Sequence, residues 1–464
     1  MAVVNAMMQD NPNMKVAVVD KDEPGGICLT RGCIPSKILL YPAELIRNLE
    51  RADVFGIDIE VKRVDFAKIM DRMKMLVGRE ISMIREGLSD SKNLDYYRDT
   101  AEFVAPYTLK VGHEIIKSSM ILLCTGSKPL IPQVKGLENT GYLTSDTVLK
   151  LNRLPKSIAI IGGGYISAEY GHFFSVMGAE VTVVGRNPAV LPDEEPEVSA
   201  LVKRELQKHM RVITNHEVQE VSKASEDGKR VVAVNRETGE TAEIIVDEIL
   251  VAAGRGPNTD ILHPEKSGIK TDKHGWILVN ELLETTQPGV WAFGDADGKF
   301  PFKHVANYEA QTVYFNAVQK KGVKVDYHAV PHAVFTYPEV ASVGLGEKEA
   351  IAKYDADKVL IGVQRYEDTA KGQAMDAKDY FCKVIVERAT LRILGAHIVG
   401  PQASLLIQEI VNLMYTHEQS ALPIMHGMHI HPALSEVVAK AFESLMSPKQ
   451  YHHVMRDHFG LFGT

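Results

Sequence analysis

The segment SIAIIGGGYISAEYGHFFSVMGAEVTVVGRNP, residues 157–188, constrains this chain more than any other stretch. A short apolar run over 158–161 enters three glycines, Gly162, Gly163 and Gly164. A helical pattern then continues to Met177, Gly178 stops it, and a second apolar run covers 181–184. Two strands joined by a helix of this length must lie parallel, because only a crossover returns the chain to the same edge. Gly162 permits the tight turn, Gly164 lets the backbone approach a pyrophosphate, and the free N–H groups of the helix start offer an anion site. The third small position of such a turn holds Ser167, compact enough for the helix to pack on the strand. The segment is therefore a dinucleotide-binding unit, and the chain belongs to the α/β class.

A partial second copy lies at the N-terminus, where KVAVVD over 15–20 reads as a strand ending in Asp20, an acid placed to hold a ribose hydroxyl. In the complete unit Gly185 follows Gly162 by 23 residues. The same spacing puts the glycine turn belonging to Asp20 before Met1, with residues 1–9 as the crossover helix. The expectation is a weakened pyrophosphate grip in that first nucleotide site. ILLCTGSKP from Ile121 and ILVAAGRGPN from Ile249 repeat each other at an offset of 128, and VWAFGDADG over 290–298 is a third strand with Asp295 at its tip. After about Tyr327 apolar strands alternate, with two amphipathic helices near 404–415 and 434–446. These patterns predict two nested Rossmann-like dinucleotide-binding domains plus a C-terminal α+β domain. The expected boundaries are residues 1–143 with 270–327, then 144–269, then 328–464.

Composition narrows the function. The 464 residues are 45% hydrophobic, enough to bury several cores. The 52 basic against 60 acidic residues give a net charge of −8 with no long Lys/Arg block, which excludes nucleic acid and anionic membrane as expected partners. No run approaches the ~20 apolar residues of a membrane span, and no basic-headed leader opens the chain, so a cytoplasmic location is expected. Of four cysteines, Cys124 and Cys382 sit in apolar runs and read as buried small hydrophobes.

The other two lie in GGICLTRGCIPSK, residues 25–37, where Cys28 and Cys33 flank four residues. A structural disulfide fits poorly with a chain that offers no other pair. A metal site needs further ligands, and no Cys or His lies nearby in sequence. A redox-active dithiol, one sulfur attacking a substrate and the other closing the disulfide, fits best.

Taken together, the Cys-x4-Cys segment, the TGS and GRGPN strand ends, GDA and the terminal HIHPALSE resemble the flavin-dependent pyridine nucleotide-disulfide oxidoreductases, class I, and among them the dihydrolipoamide dehydrogenase branch most. Arg31 and Ser36 favour that branch over the glutathione type. No cysteine follows Cys382, unlike the mercuric reductases, and soluble transhydrogenases lack the dithiol. The resemblance implies an FAD domain, an NAD(P) domain and an interface domain that forms a homodimer. It further implies that lipoyl groups come from a separate protein, a lipoyl domain of a 2-oxoacid dehydrogenase complex or of the glycine cleavage system. The absent first glycine turn departs from the family and touches the FAD pyrophosphate contact.

By the same resemblance Cys28 is the interchange thiol and Cys33 lies against the flavin. His431 and Glu436 form the proton-handling pair, with His429 in support; His426, His429 and His431 could alternatively gather a metal, although no metal cofactor is expected. Lys37 and Glu169 meet near the flavin N5. Asp20, Thr125, Gly126, Ser127 and Asp295 hold FAD, while Gly162, Gly164, Tyr165, Arg186 and Gly254 serve the nicotinamide nucleotide, Tyr165 as a gate. The strand end that carries an acid in NAD-preferring members holds Gly185, followed by Arg186, so NADP is expected to be accepted and preferred over NAD. A second phosphate-binding arginine of the NADP-dependent relatives falls at Pro192. The expected reaction is oxidation of protein-bound dihydrolipoyl groups with reduction of NAD(P). The alternatives are NADPH-driven reduction of another small disulfide and a flavin-free dinucleotide-binding protein.

Overall fold

The structure, a computed structural model, describes residues 2–224 and 228–456; His458, in the histidine-rich end of the chain, lies outside the described residues. The glycine-turn unit lies at the heart of a five-stranded parallel sheet. Its order is Arg211–Ile213, Glu180–Val184, Ser157–Ile161, Glu248–Val251 and Leu143–Thr144. Ile158, Ala159 and Ile160 are wholly buried, as a central parallel strand covered on both faces requires. A three-stranded antiparallel layer, His216–Lys223, Lys229–Asn235 and Thr241–Val246, packs beside it.

In the N-terminal lobe, Val16–Val19 pairs in parallel with Leu94–Tyr97, and Ile121–Leu123 pairs in parallel with Val290–Ala292, as two separate two-stranded sheets. The helix Ala2–Asp10 precedes them, as expected of a crossover helix, and packs on the helix Lys303–Val313. The two repeated segments meet directly: Ser127–Pro129 runs antiparallel to Arg255–Pro257, which joins the lobes across a small two-stranded ladder.

The C-terminal sheet is antiparallel, in the order Pro331–Val334, Val340–Gly344, Ile393–Val399, Phe381–Glu387 and Val359–Arg365. Its central strands correct the expected alternation. Every residue of Ile393–Val399 is buried, and so are all but the last of Phe381–Glu387, because helices Ala403–Met414 and Ser435–Glu443 cover one face while Pro196–Gln207 of the central lobe and Glu347–Tyr354 lie on the other, toward which Lys383 points. Cys382 is buried there as expected, and Cys124, one residue past its strand, has its thiol raised by burial.

A buried ion cluster pins the C-terminal sheet to the central lobe. The Lys383 ammonium lies 2.5, 2.6 and 2.8 Å from Glu195, Glu197 and Glu347, and the Tyr451 hydroxyl donates to Glu197. Glu195 and Glu197 open the helix Pro196–Gln207 of the central lobe, so removing Lys383 would strand three buried carboxylates between two parts of the fold. Among the described residues these three are the one group of carboxylates or imidazoles close enough to share an ion, and the lysine sits among them.

Candidate active site

Cys33 is the first residue of the helix Cys33–Leu49, and Cys28 lies in the short helix Gly26–Thr30 before it. Gly32 brings the two turns together: a Cβ there would stand 2.9 Å from the Ile27 carbonyl oxygen. Neither cysteine is bonded to another. The Cys28 thiol donates to the Cys33 sulfur, and this bond, helped by the Lys37 ammonium, pulls Cys33 down to about 6. The same bond, with burial, pushes Cys28 far up. One thiolate is therefore shared unequally, with its charge on Cys33 at the helix N-terminus.

One turn along, Lys37 Nζ lies 2.9 and 2.8 Å from the two oxygens of buried Glu169, which belongs to the glycine-turn helix Tyr165–Met177. Phe335 completes this knot, its N–H donating to Glu169 at 3.1 Å and its ring lying 4.7 Å from Lys37 Nζ. A cavity of about 560 Å³ opens beside Cys33, walled by Ile34, Ile38, Tyr41 and Phe335 with Lys37 and Arg72 at its edge. Arg31 is engaged elsewhere, its guanidinium pairing with Asp22 at 2.6 Å and with Asp146 at 3.1 Å. Ser36 is buried and donates to the Cys33 carbonyl at 3.2 Å. Arg31 and Ser36 thus brace the dithiol segment.

Around the strand ends a polar set converges. Ser127 Oγ donates to Asp295 at 2.5 Å and accepts from Arg255 Nε at 2.6 Å. Asn258 donates to the carbonyls of Thr125 and Ser127, both at 3.2 Å. Thr125 Oγ1 is buried without a partner, which suits a polar ligand group at this point. Gly126 and Gly254 both take positive φ, 69° and 117°. Asp20 closes the first strand, its carboxyl raised by burial, and the described residues before it carry no glycine turn. Tyr165 opens its helix partly exposed, with its hydroxyl raised by burial in the field of Arg255, Asp295, Glu169 and Cys33, which puts it between the lobes and near the dithiol.

At the glycine turn itself, Gly162 has φ 139°, and a Cβ would fall 2.2 Å from the Ala252 carbonyl oxygen. Ser167 is wholly buried against the turn, so the third small position works as expected. Gly164 caps the helix start, and Arg186 is exposed past the end of the second strand.

His431 and Glu436 are brought together: Nδ1 lies 3.0 Å from Oε1, the Ala433 N–H donates to Oε2 at 3.2 Å, and the imidazole holds Glu436 below the usual carboxylate range. The ring is exposed and flanked by exposed Met428 and Ile430, and the groups acting on Cys28 and Cys33 do not include it. His429 accompanies the Gly427 carbonyl at 3.3 Å and does not touch the pair.

The sequence reading missed Lys303, whose charge acts on Cys28, and Glu309, which accepts from Gly294 N–H and the Tyr327 hydroxyl and is raised to about 7 by burial and by Asp297. It also missed Arg255, although that residue occupies the position of Ser127 in the repeated segment.

This geometry matches known proteins over nearly the whole chain. The pyridine nucleotide-disulphide oxidoreductase family matches residues 1–310, and the dimerisation domain of the same family matches residues 330–442. The chain belongs to this family. It is 34% identical to a mycothione reductase of Mycobacterium tuberculosis, over 93% of this chain and 94% of that protein. It is 33% identical to a dihydrolipoyl dehydrogenase of Chlamydia trachomatis, over 94% and 93%. The Cu(II) complex of the HOCl-induced flavoprotein disulfide reductase RclA from Escherichia coli superposes with a TM-score of 0.84 at 26% identity, covering 95% of this chain and 96% of that one. The family binds FAD and NAD(P)H, and the residues here fit both groups: the unpartnered Thr125 hydroxyl and the Ser127–Asp295 pair face one strand end, and the Gly162–Gly164 turn the other. The dimerisation domain supports a homodimer.

Proposed function

We propose that this chain oxidises dihydrolipoyl groups, carried on lipoyl domains of a 2-oxoacid dehydrogenase complex or of the glycine cleavage system, to the lipoyl disulfide, with NADP as the preferred acceptor and NAD as the lesser one. The observation that carries the proposal is the placement of the dithiol: Cys33 opens its helix one turn before Lys37, which Glu169 holds in place, and Cys28 lies in the short helix just before it.

When the pair is oxidised, a substrate thiolate attacks the Cys28 sulfur. The Cys28–Cys33 bond breaks and Cys33 leaves as the thiolate, the better leaving group because its pKa is the lower. The second substrate thiol then attacks the mixed disulfide, the substrate disulfide closes, and Cys28 departs and takes a proton. His431 handles the protons through Nε2, since Nδ1 is engaged with Glu436. In the homodimer the exposed His431 of one subunit serves the dithiol of the other. Bound FAD would supply the two-electron carrier between dithiol and nicotinamide.

Arg186 favours a second reading. With no acid at Gly185, the site tolerates a 2′-phosphate, and NADPH would then drive reduction of a small disulfide, as the similarity to a mycothione reductase also suggests. Turnover with dihydrolipoamide and NADP or NAD, set against NADPH-driven reduction of glutathione and coenzyme A disulfides, separates the two. Dihydrolipoamide oxidation faster by roughly 10²-fold or more is expected. Faster reduction of either disulfide defeats the lipoyl assignment.

A further inference from the structure

The strand Glu180–Val184 ends in a junction of three chain segments. Gly185 N–H donates to the Ile213 carbonyl at 2.8 Å, and His216 N–H donates back to Gly185 at 3.0 Å. Asn215 N–H donates to the Asn187 carbonyl at 2.8 Å, and Arg236 N–H donates to the Asn215 carbonyl at 2.9 Å. Arg236 stands at the turn after the strand Lys229–Asn235, 50 residues beyond Arg186, and its Nη1 donates to the Arg186 carbonyl at 3.2 Å. The main-chain ladder through Asn215 thus fixes a second guanidinium against the Arg186 backbone.

Both arginines are exposed, and among the described residues no carboxylate pairs with either, although Glu237 is the next residue along the turn. The junction also backs onto the glycine turn, since a Cβ on Gly185 would lie 3.3 Å from the Gly163 Cα. A dinucleotide whose pyrophosphate sits on that turn turns the 2′ edge of its adenosine ribose toward residues 185 and 186.

We propose that Arg236 is the second arginine of the 2′-phosphate site, supplied by the antiparallel layer in place of the position that falls on Pro192. A phosphate carries three acceptor oxygens, and one guanidinium fork engages only part of them. Arg236 keeps most of its N–H groups after the bond to the Arg186 carbonyl, and that bond presets the direction of its fork. The inference rests on the NADP preference proposed above.

The test uses the 464-residue chain with 2′,5′-ADP and 5′-AMP as probes, which need no hydride chemistry, and reads both dissociation constants calorimetrically. Wild type is expected to bind 2′,5′-ADP more tightly. Arg236→Ala should weaken 2′,5′-ADP by about tenfold and leave 5′-AMP unchanged, with Arg236→Lys in between. A wild type that does not discriminate between the probes overturns the NADP preference and this inference together. Discrimination that is lost in Arg186→Ala but intact in Arg236→Ala overturns this inference alone. Equal weakening of both probes in Arg236→Ala shows a structural tie and overturns it too.

Discussion

The central lobe and the N-terminal lobe both end their strands in glycine turns, yet they present polar groups in different ways. In the central lobe the anion site is backbone: Gly162 at φ 139°, packed onto the Ala252 carbonyl, and the open N–H groups of Tyr165–Met177. In the N-terminal lobe the contacts are side chains drawn from distant segments: Lys37 with Glu169, Ser127 with Asp295 and Arg255, and the unpartnered Thr125 hydroxyl. A backbone site is set by local conformation and tolerates changes in nearby side chains. A side-chain site can tune a thiol or a cofactor, but each member depends on the others. Glu169 links the two, since it grows from the central helix and fixes Lys37 beside the dithiol.

The largest effect should come from the side-chain machinery. His431→Ala is expected to slow dithiol oxidation by roughly 10²- to 10⁴-fold, while dye reduction by NAD(P)H, which bypasses the dithiol, changes little. Mixed with Cys28→Ser subunits, it should recover about a quarter of wild-type activity, because half of randomly paired dimers are mixed and each has one intact site. No recovery in demonstrated heterodimers would place His431 outside the shared site. Next comes the backbone turn. Gly162→Ala should lower nicotinamide nucleotide affinity by roughly 10²-fold with FAD content unchanged. Parallel loss of both cofactors would show that the two lobes are not independent.

The smallest effect concerns the shared thiolate. In the reduced wild type, alkylation of Cys33 should rise with pH through about 6, since the thiolate forms above its lowered pKa. In Cys28→Ala the hydrogen bond that does most of the lowering is gone, so the midpoint should move up toward the ordinary thiol value of roughly 8.5, held partly down by Lys37. An unmoved midpoint would assign the lowering to Lys37 and the helix start instead.

Features set by short-range pattern were legible in the sequence. The glycine turn, its helix to Met177, the cysteine pair and the His431–Glu436 spacing all depend on residues near one another along the chain. What escaped depends on segments that meet only in the fold. Arg31 pairs with Asp146, far along the chain, a partner that no local signal announces. The strand Ile393–Val399 looked half-exposed because no local signal announces two covering helices. Lys383 reads as a surface lysine until Glu195, Glu197 and Glu347 close around it.

The dithiol relay is tested most directly by measuring two activities in the same purified Cys28→Ser and Cys33→Ser proteins. Dihydrolipoamide oxidation needs both sulfurs and should fall by roughly 10³-fold or more in each variant, as expected when a covalent nucleophile or its partner is lost. Dye reduction by NADPH or NADH needs only the flavin and nicotinamide sites and should stay within about tenfold of wild type. Equal loss of both activities in well-folded variants that retain FAD would contradict the separation of the dithiol from the nucleotide sites.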